Sequence, residues 1–234
     1  MKLHIAFACL SPLLLMSVLA APVRAQPAAA SPGLVLNIRN GNLERRSQES
    51  WETLVVGDPV TVKQRLKTGP AALAVLELPQ LGRYILGPDT DVELGQGGQN
   101  ATDSLKKGAL WISAKLPPGN SLTVQTALAS SGVRGTMFTV IAGKDGMDLC
   151  TCNGNVDVTL KDGTVVKVGT GSSCKLDVRG KPMGPVTKGA LVLAKYSASS
   201  KAYGICYGCH TKTGLRKDWN ENTLSLAASS AKDK

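Results

Sequence analysis

From Leu34 onward the chain is a succession of short apolar runs separated by Gly, Pro, Asn and Asp. Leu34-Val-Leu-Asn-Ile38, Val60-Thr-Val62, Leu73-Ala-Val-Leu-Glu-Leu78 and Tyr84-Ile-Leu86 open the series. Leu122-Thr-Val124, Phe138-Thr-Val-Ile141, Val156-Asp-Val-Thr-Leu160 and Val165-Val-Lys-Val168 continue it. Short runs rich in β-branched residues and bounded by turn formers predict strands. Asn40-Gly41, Asn153-Gly154 and Lys161-Asp-Gly163 supply the turn signals, and the spacing leaves no room for the helices of βαβ crossovers. The expected fold is all-β, with many short strands in a sandwich or solenoid-like β domain.

A weak internal repeat runs through this pattern. Asn40-Gly-Asn-Leu43 returns as Asn153-Gly-Asn-Val156, and Lys107-Gly-Ala-Leu110 as Lys188-Gly-Ala-Leu191. Each copy sets a Gly just before a new apolar run, which fits either a repeated turn solution or a stack of similar hairpins. After about Lys188 the periodicity changes. Ala190–Tyr196 reads as a strand or a helical turn, and Asp218–Ala228 as a short helix, so residues 188–234 form a small irregular or helical C-terminal appendage.

The other end is an export signal. Lys2 precedes an apolar stretch from Ile5 to Leu19, and Val23-Arg-Ala25 is a small-residue cleavage site. The apolar stretch is short for a bilayer span, which takes about 20 residues, and Pro12 and Ser17 interrupt it. The chain thus divides into a signal peptide (1–25), an Ala/Pro/Ser linker (26–33), a β domain (34–187) and the C-terminal extension (188–234). A periplasmic or secreted location follows, and no second apolar stretch is long enough to cross a membrane.

Composition sharpens this only a little. Aromatic residues make up 4% of the chain, so the core must be built from Val, Leu, Ile and Ala. The formal net charge of +10 falls to +8 once Lys2 and Arg24 leave with the signal. The basic residues are scattered and form no helical stripe, which argues against nucleic acid. Such a balance serves solubility and attraction to anionic envelope partners.

Candidate chemistry is sparse. After signal removal His210 is the only histidine, and no Gly-x-Ser-x-Gly elbow, His-x-x-x-His pair or phosphate-cradling Gly loop accompanies it. Asp89, Asp91 and Glu93 read as turn and strand-edge residues, so a non-enzymatic role is expected. Five cysteines remain: Cys150, Cys152, Cys174, Cys206 and Cys209. Cys206-Tyr-Gly-Cys-His210 has the spacing of a c-type haem attachment site, in which two thiols take the vinyl groups and the imidazole ligates iron. Met147 and Met183 are the candidate sixth ligands. A Cys206–Cys209 disulfide or a metal clip fits the same residues. In an extended Cys150-Thr-Cys152 both sulfurs face one side, too far apart to bond each other easily. Cys174 is then the natural disulfide partner for Cys150 or Cys152.

Several motifs in order resemble one family. Val133-Arg-Gly-Thr-Met-Phe-Thr-Val140 is similar to the signature of the FecR domain, a bacterial cell-envelope module, with Val133, Arg134, Gly135, Thr136 and Phe138 as its residues here. Gly57-Asp-Pro-Val60, Leu66-Lys-Thr-Gly-Pro-Ala-Ala72, Leu86-Gly-Pro-Asp-Thr-Asp-Val-Glu-Leu94 and Leu105-Lys-Lys-Gly-Ala-Leu110 resemble further FecR segments. The resemblance covers about Leu34 to Val178. It implies an envelope sensor, binding or scaffold module whose partner is an envelope protein or glycan. The best-known members relay a siderophore receptor's state to a sigma factor across the inner membrane. Without a cytoplasmic segment or an internal span here, only the extracytoplasmic module is expected to carry over. The cysteines at 150, 152 and 174 depart from the aliphatic residues expected in the family. The alternative function is electron transfer or redox sensing by a c-type haem on Cys206, Cys209 and His210.

Overall fold

A computed structural model describes residues 31–188 and the short strands at 210–211 and 214–215. Seventeen strands fill the main described region: β1 (Gly33–Arg39), β2 (Leu43–Ser47), β3 (Ser50–Leu54), β4 (Pro59–Val60), β5 (Arg65–Thr68), β6 (Leu73–Leu78), β7 (Gly82–Leu86), β8 (Asp91–Glu93), β9 (Asn100–Ala114), β10 (Ser121–Gln125), β11 (Ala129–Val133), β12 (Met137–Gly143), β13 (Gly146–Asn153), β14 (Asn155–Leu160), β15 (Val165–Gly169), β16 (Ser172–Leu176) and β17 (Thr187–Lys188). The described residues contain no helix. The all-β expectation holds.

The strands form two sheets. The first runs β4-β1-β6-β7-β9-β12-β13-β16-β17, antiparallel throughout. The second runs β3-β2-β5-β8-β9-β10-β11-β14-β15, antiparallel except for the parallel β9–β10 pair. Strand β9 belongs to both. Its first half pairs with β8 and β10, and its second half, from Gly108, pairs with β7 and β12.

Alternation decides what is buried. On β7, β9 and β12, Tyr84, Leu110, Ile112, Phe138 and Val140 point into one core and are at most 1% exposed. Leu66, Val92, Leu122, Val124, Val156 and Val158 of the second sheet enter the same core. Burying each such side chain is worth about 1.5–3 kcal/mol, so this shared core holds the two sheets face to face.

The chain crosses between sheets repeatedly, and three copies of the sequence repeat fall at such crossings. Asn40-Gly41 carries it from β1 in the first sheet to β2 in the second. Asn153-Gly154 carries it likewise from β13 to β14. Lys107-Gly108 is the third crossing, but it is not the turn the sequence predicts. The strand bends there but continues, because Gly108 takes φ +95 and leaves room for Thr90 against its backbone. Thr90 Oγ1 there donates to the Ala109 carbonyl and accepts from the Ala109 N–H, both at 3.0 Å. Asp91 and Glu93 are the two ends of β8, which lies between β5 and β9 inside the second sheet.

Candidate binding surface

The signature segment builds one of the crossings. Val133 ends β11 in the second sheet and Phe138 lies in β12 of the first; both are buried. Between them Gly135 adopts φ +105, with open space where a Cβ would stand. Thr136 locks the turn: its Oγ1 donates to the Asn155 carbonyl at 3.1 Å, and its own carbonyl accepts from Ala114 N at 3.0 Å. Arg134 is exposed at the apex, where it makes no ion pair among the described residues. The string is therefore mostly structural, with one cation held outward.

A second feature lies on the outer face of the second sheet. Trp51 of the edge strand β3 pairs across from Arg46, and alternation brings Arg65 and Lys67 of β5 to the same face. Lys67 Nζ stands 4.0 Å from the indole centroid, with the Arg46 and Arg65 guanidinium carbons at 5.6 and 5.8 Å. Asp91 organises the cations. Arg65 donates two hydrogen bonds of 2.8 Å to its carboxylate, and Lys67 approaches to 3.7 Å. Burial works against the charge on Asp91, but Arg65, Lys67 and Lys107 outweigh it and hold the carboxyl below its usual range. An indole rimmed by cations offers a π face and positive charge together. Among the described residues β3 pairs only with β2, so its other edge carries unpaired backbone groups on which a strand can add. Sequence reading missed this cluster, whose members lie in three polar runs; their period-2 placement around Trp51 is the signal that points to it.

The core holds a third polar group. Asp103 of β9 is fully buried; its carboxylate accepts from Tyr84 OH and from Gly95 N, each at 2.8 Å. Burial pushes Asp103 up to about 6, although both hydrogen bonds pull the other way. Burial, followed by the Asp103 charge, raises Tyr84 well above the usual phenol range. Tyr84 and Asp103 sit in different sheets, so the bond crosses the core. Its enclosure suits it to a structural clamp.

The cysteines are placed differently from the expectation. Cys150 and Cys152 are buried on the outer face of the first sheet, Cys152 beside Trp111 and Cys150 beside Ala109 and Ile141. Cys174 stands opposite Leu149 in the register and faces the shared core. Opposed residues share a face and neighbours in a strand do not. The pairing expected between Cys174 and Cys150 or Cys152 is thus not brought together, because the sheet separates the sulfurs. Burial, with the charge of Asp148 adding to it, pushes the Cys174 thiol up to about 12, which leaves it an unreactive core residue. Met147 is likewise in the core, its sulfur accepting from Thr126 Oγ1 at 3.4 Å. Met183 is exposed. Cys206 and Cys209 lie outside the described residues, as do the signal peptide and the expected helix at Asp218–Ala228. His210 opens β18 (His210–Thr211), which pairs with β19 (Gly214–Leu215). The described residues contain no cluster of His, Cys, Asp and Glu able to hold a metal.

Residues 64–157 match the model of the FecR protein family. The match takes in the signature crossing and the whole of β9, and it is narrower than the resemblance read from Leu34 to Val178. No curated protein matches the chain. Two crystal structures of a candidate anti-sigma factor from Parabacteroides distasonis ATCC 8503, at 2.50 and 1.65 Å resolution, are each similar to it at 16% identity and a TM-score of 0.48. The similarity covers 53% of this chain and spans 59% of the length of theirs. No helix among the described residues is long and apolar enough to cross a membrane.

Proposed function

We propose that this chain is a FecR-type, non-enzymatic exported binding, sensor or scaffold module of the bacterial cell envelope. The observation that carries the reading is the family match over 64–157, joined to the use its signature residues find here. Val133, Gly135, Thr136 and Phe138 build a crossing between sheets, and the outward features are a cation-rimmed indole, a free strand edge and Arg134. That inventory suits recognition of an acidic surface on an envelope protein or glycan, the protein docking by strand addition at β3. The test is capture from an envelope extract with the mature chain, beside Trp51→Ala and Arg134→Ala. A protein or glycan retained by the native chain and lost with Trp51→Ala supports the reading. Equal recovery on all three, or on none, sinks it.

The Cys206-Tyr-Gly-Cys-His210 spacing supports a second reading, a covalently held c-type haem. Cys206 and Cys209 would hold the group by thioether bonds and His210 would ligate its iron. Protein made in a host with c-type maturation should then be red and heavier by one haem. Colourless protein of apo mass discards it.

A further inference from the structure

The first sheet is buried on its inner face and over the middle of its outer face. Its inner face meets the second sheet. Its outer face carries Leu73, Val75, Ile85, Trp111, Met137 and Ile141, which register places side by side across β6, β7, β9 and β12. Trp111 is 0% exposed, Ile85 1% and Ile141 6%, yet the apolar clusters they form contain only residues of this one face. No second layer among the described residues stands over them. An apolar surface of this kind on a monomer needs a cover, and the Trp111 indole N–H makes no hydrogen bond among the described residues.

We infer that the outer face of the first sheet is the docking face for the chain's own C-terminal segment, residues 189–234. Two observations select this occupant. The chain enters the segment from β17, which is hydrogen-bonded to β16 in this same sheet, so the segment starts at the border of the face. Its composition is suitable: Ala190-Leu-Val-Leu-Ala194 opens it, and Leu224 and Leu226 lie near its end. Cys150 and Cys152 belong to the same covered face.

Limited trypsinolysis of the full mature chain tests this. Lys195, Lys201 and Arg216 are the reporter sites. They should resist cleavage in the native chain, and Val75→Lys or Ile141→Lys should speed cut formation by about tenfold or more, with the β circular dichroism spectrum kept. Equal rates in native and variant chains overturn the proposal. So does a dimer by light scattering whose reporter sites are cut at once, since a second copy would then be the cover. If both lysine variants unfold, a chain bearing Trp51→Phe and Trp219→Phe decides. Acrylamide quenching of Trp111 should be weak and should rise once prolonged digestion with excess trypsin has removed the segment; unchanged quenching rejects the docking.

Discussion

At the scale of single residues, the informative positions carry conformation or charge where side-chain identity alone says little. Gly135 has space around it but a backbone only glycine holds comfortably, so Gly135→Ala should cost about 1–2 kcal/mol through strain alone. Phe138, three residues on, is fully buried, and Phe138→Ala should cost about 3–5 kcal/mol. Denaturant unfolding of the two variants ranks them. Asp103 gives a pH dependence whose sign is fixed. Its folded pKa of about 6 lies above the ordinary carboxylate value, so the folded state binds the proton more tightly. The stability it contributes is present below about pH 4 and is lost as pH rises through 6, on the order of 2–3 kcal/mol in all. Asp103→Asn should therefore flatten the difference in thermal midpoint between pH 4.5 and 8. An unchanged difference would mean the carboxyl titrates normally.

At the scale of elements, short apolar runs made the inner strands legible, because one face of each must be apolar. Strands β2, β3 and β5 were hidden: Leu43-Glu-Arg-Arg-Ser47 and Arg65-Leu-Lys-Thr68 each offer one or two core residues amid charge. Their outward polar residues are the ones that gather around Trp51, so the cluster was hidden with them. The disulfide expectation went astray for a similar reason. Spacing along one strand says which side a sulfur takes, but the side taken by Cys174 depends on the register of β13 with β16, which no local pattern encodes. Strand β9 shows the opposite error, a turn expected where a strand continues. Gly108→Ala would combine an unfavourable φ with a clash against Thr90 and should cost about 2–4 kcal/mol. Thermal unfolding that leaves this variant within 1 kcal/mol of the native chain would show the bend to be tolerant.

At the scale of the whole molecule, fold class was legible in the rhythm of the chain, and family in several motifs taken in order. The partner was not, because the surface that would meet it is assembled from distant strands. Export belongs to this scale too. The leader pattern predicts a mature chain beginning at Gln26, and N-terminal sequencing from the native host checks it. An intact Met1 in a membrane fraction would make the leader an anchor.

The alternation of the chain between two sheets has a consequence for time. The β11–β14 pairing encloses the β12–β13 hairpin in sequence, and the β13–β16 pairing encloses the β14–β15 hairpin. Each closure bears the loop entropy of the hairpin it encloses, and β9 needs partners from both sheets. Sandwiches assembled from such distant pairings fold in milliseconds to seconds, where helical bundles take microseconds. A polypeptide that stays open that long can still be threaded through a pore before its layers lock.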